Sequence, residues 1–363
     1  MVVNSLKLSD FRLVKSADLE FSPGINMIYG DNAQGKTTLI EAICLVARGK
    51  SFRSPHDADL ISFGCDYSSL QMTYNDGREH RVRIAYSADG RRKITRDDIE
   101  LRKLSELFGG FRCVLFAPSH LGIVREGPSQ RRAFVDMAIS QLYPAHIVSL
   151  QRYQAALAQR NALLRCGFEQ KKVIDATIEQ WNVQLAEWGA KIRQGRKRYI
   201  DRLGVCAAEF LKDMSFGADT LGVEYNINTA SESLLHDLES NIEREIRAGT
   251  TLYGPHKEDI EIEINGKSAR AYASQGQGRS AAVSLKLAEW YISKETTGQA
   301  PVLCLDDVLS ELDEGRRAYL TEDIKGGQIF ITSCDRISPA DDTKLFYVHG
   351  GNIKSTDFDR ETK

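Results

Sequence analysis

The chain has 363 residues, 42% of them hydrophobic and 27% charged, an ordinary composition for a globular protein with length for about two domains. A formal net charge of -2 excludes a global basic field, so any nucleic-acid contact must come from a local patch. With no cleavable leader and no apolar run long enough to span a bilayer, a cytoplasmic protein without membrane partners is expected.

The first segment, VNSLKLSDFRLVKSADLEFSPGINMIYG, alternates apolar residues (Leu6, Leu8; Leu19, Phe21) between polar turns, and Pro23-Gly24 marks a tight turn. It predicts two or three strands leading into GDNAQGKTTLIEAI (Gly30–Ile43). There Gly30 and Gly35-Lys36-Thr37 stand at the spacing G-x-x-x-x-G-K-[ST] of a phosphate-binding loop. Glycines let the backbone curl until consecutive N–H groups face one phosphate chain at the positive end of the following helix. Ile25–Gly30 reads as a buried strand and Thr37–Arg48 as an apolar-faced helix, so ATP or GTP binding is expected. Contacts are assigned to Gly30, Asp31, Asn32, Ala33, Gln34, Gly35, Lys36, Thr37 and Thr38, with Lys36 on the terminal phosphates and Thr37 on Mg²⁺. Arg12, in a nearby turn, is either a further phosphate contact or a surface cation at a hairpin.

Strands follow around SSLQMTYNDG and REHRVRIAYSADGRRKITRDDIE, with hairpin turns at Asn75-Asp76-Gly77 and Asp89-Gly90. Arg78, Arg81, Arg83, Arg91, Arg92, Lys93 and Arg96 make them basic, which suits either DNA phosphates or a solvated sheet face. A buried strand CVLFA ends at Pro118, and GPSQRRAFVDMAIS begins a helix. From there to about Arg247 the period becomes helical. Ile178, Trp181, Leu185, Trp188 and Ile192 recur three or four apart, a helix-bundle core stripe. The basic run KIRQGRKRYIDR reads as a wet helix face or a DNA contact.

Strand character returns at Ile260, Ile262 and Ile264. Ser274-Gln275-Gly276-Gln277 then precedes a long helix, with Ser or Gly placed to cap it. In PVLCLDDVLSELDEGRR an apolar strand ends at Asp306-Asp307, followed by a turn and a helix. Two carboxylates at such a position are costly unless they have a task. Beside a phosphate loop, Asp306 would hold Mg²⁺ and Asp307 would orient or deprotonate the attacking water. A last core strand QIFITS precedes tail strands KLFYVHG and GNIKS. The seven cysteines form no C-x-x-C pair and read as small core residues of a reducing compartment.

The order of these motifs resembles that of ABC-type ATPases. It implies that SQGQ is the signature segment, with Ser274, Gly276 and Gln277 on the γ-phosphate held by a second subunit. Two heads would sandwich two ATPs in a homodimer, with Asp313 of SELD near the partner's phosphate loop. Lys36, Asp307 and Ser274 would be the catalytic set. The fold class expected is α/β: an ABC-type P-loop ATPase head with a mixed sheet (residues 1–124 and 250–363) and an inserted, mainly helical second lobe (125–249).

Over essentially its whole length the chain resembles the RecF family of bacterial recombination and repair ATPases, related to the SMC and ABC heads. SDFR, PGINMIYGDNAQGKTTLIEAI, GKSFR (Gly49–Arg53), EGPSQRRAFVD (Glu126–Asp136), LYGPHKED (Leu252–Asp259), SQGQ, PVLCLDDVLSELD, IFIT and FYVHGGNI carry the resemblance. It implies ATP-dependent dimerisation on double-stranded DNA, action at single-strand gaps and stalled forks, a RecR partner and help in placing RecA. Departures are Ser119-His120 at the sensor position, Thr332-Ser333 where transporters carry a switch histidine, and Leu13-Val14 after Phe11-Arg12. Asp307 where a Glu is usual fits slow turnover. His256 is either near the site or a turn-stabilising residue. The competing classes are a transport-type ABC subunit, an ATP-locked scaffold without hydrolysis, and a nucleotide kinase. The helical insertion, the Asp306-Asp307 pair, and SQGQ with SELD argue against them in turn.

Overall fold

The computed structural model describes residues 1–167, 169, 171–229, 233–312, 314–322, 326–334 and 343–356. They form two units: Met1–Leu121 with Asp213–Ser215 and Ala282–Lys363, and Gly122–Lys212 with Phe216–Ala281.

Period-two alternation builds the start of the first unit. Its elements are β1 (Val2–Phe11), β2 (Val14–Glu20), β3 (Ile25–Tyr29) and α1 (Lys36–Arg48). Then come β4 (Tyr67–Asn75), β5 (Glu79–Ser87), β6 (Arg92–Arg96), β7 (Ile99–Leu101) and β8 (Cys113–Phe116). Strands β2-β1-β4-β5-β6-β7 form a six-stranded antiparallel sheet. In β5, His80, Val82, Ile84 and Tyr86 are buried while Arg81 and Arg83 lie exposed on the opposite face. Arg83 donates to Gln71 Oε1 at 2.7 Å and pairs with Asp98 at 3.5 Å, so part of this cationic face is internally compensated.

Helical period builds most of the second unit: α2 (Pro128–Leu142), α3 (Ala145–Leu164) and α4 (Lys171–Met214). Pro128 opens α2 at a position whose N–H has no helical acceptor. After β9 (Leu221–Asn226) come α5 (Leu234–Ser240), α6 (Ile242–Ala248), β10 (Asp259–Ile264), β11 (Lys267–Ser268), α7 (Ala269–Tyr272) and the start of α8 (Gln275–Thr297), whose residues from Ala282 on belong to the first unit. In the predicted stripe, Leu185 and Ile192 pack with Tyr153, Leu234 and Leu238 and with the partly buried Trp181 and Trp188. Ile178 joins Leu164, Ile174 and Ile246.

Two expectations change here. The boundary at residue 250 is too early: β10 pairs antiparallel with β9, which holds residues up to Ala281 in the second unit. That unit is mainly helical as expected, and it also carries the three-stranded sheet β11-β10-β9. The basic run of α4 is not a uniformly wet face. Arg196 is buried and makes two hydrogen bonds to Asp136, at 2.9 and 2.8 Å, and Arg193 pairs with buried Glu258.

The first unit is completed by β12 (Val302–Asp306), α9 (Glu314–Glu322), β13 (Ile329–Ser333), β14 (Lys344–His349) and β15 (Asn352–Thr356). Its second sheet has the order β15-β14-β3-β13-β12-β8 and is parallel except for the β14–β15 hairpin. This is the mixed sheet expected of the head, and the six-stranded antiparallel sheet is the other sheet of the same unit. Residues of both sheets meet α1 in one core, where Leu39, Ile40 and Ile43 pack among Leu6, Leu70, Cys304 and Phe330. Cys44, Cys113 and Cys304 are buried there as small apolar groups, whereas Cys166 and Cys334 are exposed.

Candidate nucleotide site

The loop Gly30–Gly35 turns between β3, interior to its sheet, and α1. Gly30 has φ +147°, and a Cβ there would lie 2.3 Å from the Val348 carbonyl oxygen, so glycine is required. Gly35 (φ +110°) and Ala33 (φ +63°) complete the curl. The loop is braced from the β14–β15 turn: the Gly350 N–H donates to Gln34 Oε1 at 2.6 Å and the Gly351 N–H to the Gln34 carbonyl at 3.0 Å. Lys36 Nζ folds back over the loop, donating to the Gly30 and Asp31 carbonyls at 2.6 and 3.0 Å. Asp31, Asn32 and Ala33 are exposed at its crest, and Thr38 is buried beneath it.

The acidic strand end meets this loop. Thr37 Oγ1 donates to Asp306 Oδ1 at 2.9 Å, and Thr332 Oγ1 donates to the same oxygen at 2.9 Å. Thr332 Oγ1 also accepts the Asp307 N–H at 2.8 Å. Burial raises the Asp306 carboxyl above its ordinary range, against the lowering effect of the two hydroxyl donors. Asp307 sits at φ +54°, a conformation disfavoured for a side chain with a Cβ and one that clusters at functional sites.

A cavity of about 340 Å³ opens beside the loop, with Arg12, Lys36, Thr37, Arg53 and Asp307 among its lining residues. Arg12 makes two hydrogen bonds to Glu41, Nε to Oε2 at 3.1 Å and Nη2 to Oε1 at 2.6 Å. Arg53 donates to Glu41 Oε2 at 3.2 Å, and Ser51 donates to Oε1. Arg12 is therefore a cation anchored at the cavity wall. The sequence pattern assigns no role to Glu41 or Arg53, although GKSFR is one of the motifs that carry the resemblance. An acid inside an apolar helix, with Ser and Arg shortly after that helix, is the signal that was available.

Ser274, Gly276 and Gln277 belong to the second unit, where Ser274 caps α8 as expected by accepting the Gln277 N–H at 3.2 Å. Asp313 falls outside the described residues. His256 is held in the second unit between Tyr153 OH (2.8 Å) and the Thr251 carbonyl (3.1 Å), and burial lowers it to about 4. That is the geometry of a turn-stabilising histidine. His120 is half-buried, accepts the Ala117 N–H at 3.0 Å, and desolvation holds its pKa well below the ordinary value.

A phosphate loop between a parallel strand and a helix, with an acidic strand end bonded to the loop threonine, defines a P-loop ATPase head of the ABC and SMC type. A family model described as an AAA domain matches residues 5–132, and the Smc head domain of Pyrococcus furiosus shares the fold (TM-score 0.57, 18% identity, 98% of this chain and 96% of that one). The chain belongs to the RecF family of DNA replication and repair proteins. The RecF of Ruminiclostridium cellulolyticum is 37% identical over 371 residues, covering 98% of this chain and all 100% of the relative. That of Lachnoclostridium phytofermentans is 38% identical over 92% of both chains. A solved structure of the recombination mediator RecF with ATPrS in the RecFOR pathway matches with TM-score 0.91 at 34% identity, covering 97% of each chain. Among the described residues no helix is long and apolar enough to cross a membrane.

Proposed function

We propose that this chain is a slow, DNA-stimulated ATPase whose ATP-driven dimer grips double-stranded DNA near single-strand gaps. With RecR it would help place RecA, and hydrolysis would release the clamp. The observation that carries the ATPase part is the meeting of Thr37, Asp306 and Thr332 within hydrogen-bond distance at the mouth of the phosphate loop. A relative solved with ATP, the recombination mediator RecF, supports ATP as the nucleotide.

The roles follow from chemistry. Loop N–H groups and the N-terminus of α1 favour a phosphate chain, and Lys36 would exchange its two carbonyl partners for terminal phosphate oxygens. Two hard oxygens, the Thr37 hydroxyl and the Asp306 carboxylate, suit Mg²⁺ as donors, and a cation there relieves the desolvation of Asp306. When bound, Mg²⁺ neutralises charge developing on the phosphates. Asp307, lining the cavity, would orient the attacking water. Arg12 is assigned to the phosphates from the cavity wall. Ser274, Gly276 and Gln277, with Asp313, would complete the site of a second copy.

The test is ATP hydrolysis as a function of protein concentration, with and without duplex DNA at fixed salt. A specific activity that climbs with concentration and again with DNA is expected. A rate flat in both would mean a self-contained site and would remove the clamp.

A further inference from the structure

The N-terminus of α8 is tied in two directions. Ser274 Oγ accepts the Gln277 N–H at 3.2 Å, and Gln277 Oε1 accepts the Ser274 N–H at 3.1 Å, a reciprocal capping box. The other end of the same amide is also engaged: Gln277 Nε2 donates to Asp219 Oδ1 at 2.9 Å, across 58 residues of sequence. Asp219 Oδ1 in turn accepts from Asn265 Nδ2 at 2.8 Å. Asn265 accepts the Thr220 N–H at 2.8 Å and donates its own N–H to the Thr220 carbonyl at 3.0 Å.

The direction of this chain matters. A carboxylate accepts and cannot donate, so it selects the orientation of the Gln277 amide in which Nε2 faces Asp219 and Oε1 faces Ser274. The opposite orientation would set Oε1 against the carboxylate and Nε2 against the Ser274 N–H, losing both bonds. With Gln277 fixed, Ser274 Oγ receives a backbone N–H and has its own proton left to donate.

We infer that Asp219 is a positioning residue for the signature segment: through Gln277 it holds the Ser274 hydroxyl as an outward donor to a phosphate oxygen. The inference rests on the reading that Ser274 binds the γ-phosphate of ATP held by a second copy.

The full-length protein is compared with Ser274→Ala, Asp219→Ala, Asp219→Asn and Gln277→Glu. The measurements are kcat and KM for ATP, equilibrium ATP binding at monomer concentration, and Tm. Asp219→Ala should lower kcat tenfold or more while monomer ATP affinity stays within twofold. Asp219→Asn, whose amide oxygen still accepts, should keep kcat within threefold of wild type. Gln277→Glu, which opposes two carboxylates, should reproduce the loss with Asp219 intact. Wild-type kcat in Asp219→Ala alongside loss in Ser274→Ala would overturn the positioning role, as would equal losses in Asp219→Ala and Asp219→Asn. Wild-type kcat in Ser274→Ala would instead overturn the assignment of the signature segment.

Discussion

Thr37 and Asp306, 269 residues apart in sequence, share a hydrogen bond of 2.9 Å, Oγ1 to Oδ1. The phosphate loop and the acidic strand are thus already joined at the point where the metal is expected, and the carboxylate is held in a desolvated position to make that possible.

Asp306→Asn should therefore separate stability from function. Burial raises the Asp306 pKa, so its contribution to folding is most favourable below the ordinary value of 3.8 and is lost as pH rises through the raised value. At pH 7 the ionised group opposes folding. The substitution should raise the Tm of the nucleotide-free protein, by a stabilisation on the order of 1 kcal/mol. ATP hydrolysis should fall by about a hundredfold or more. A lower Tm, or unchanged hydrolysis, contradicts the reading.

Gly351→Ala should weaken nucleotide binding although the residue is more than three hundred positions from the motif in sequence. Its Cβ would lie 2.0 Å from the Leu13 carbonyl, and its N–H braces Gln34. A loss of more than about 1 kcal/mol in stability is expected, with reduced ATP affinity. Gly90→Ala is the control: its φ of +84° carries the same conformational cost, but nothing lies within 4 Å of the added methyl. Equal effects of the two substitutions on ATP affinity would show that the brace is irrelevant.

His256 should make the second unit acid-sensitive. Its pKa falls from 6.5 to about 4 because burial disfavours the imidazolium. Above pH 6.5 both states are neutral and the contribution is fully present. Between 6.5 and about 4 the unfolded chain takes up the proton first, so stability declines with pH. His256→Gln should flatten that part of the denaturation profile relative to wild type. An unchanged slope would place the acid sensitivity elsewhere.

Arg160→Met tests the buried ion pair of the second unit. Arg160 is 0% exposed and sits 2.7 Å from Glu245, with Asn182, Thr251 and the Leu238 carbonyl accepting its other donors. Removing the cation strands a buried carboxylate, at a cost of about 3–5 kcal/mol. Arg160→Met with Glu245→Gln should recover much of that, because no uncompensated charge remains. Denaturant melts of the two variants decide it.

What the amino-acid order made legible follows from how local each signal is. The phosphate loop, α1 and β12 with the Asp306-Asp307 pair at its end are written in contiguous stretches, and all lie where expected. Contacts that depend on chain return were not legible. Nothing near Gln34 announces that a turn more than three hundred residues later will brace it. Nor does Glu41, in the middle of an apolar helix, announce that it will hold Arg12 and Arg53. The misplaced unit boundary has the same origin. Leu221–Asn226 alternates weakly, with Leu221 and Tyr225 its buried positions, so the partner that retains β10 was not visible.

The strand order around the loop also governs how the protein is made. β3 pairs with β13 on one side and β14 on the other, so both neighbours are encoded about 300 residues downstream. At a synthesis rate of roughly 5–20 residues per second, the nascent chain carries that strand without either neighbour for about 15–60 s. Two open edges on an apolar strand are a template for mispairing during that interval. A chain stopped before β13 would contain the whole nucleotide motif, and equilibrium dialysis with ATP should find no binding to it. Competence to hold nucleotide would thus arrive with β13 and β14, long after the residues that define it have left the ribosome.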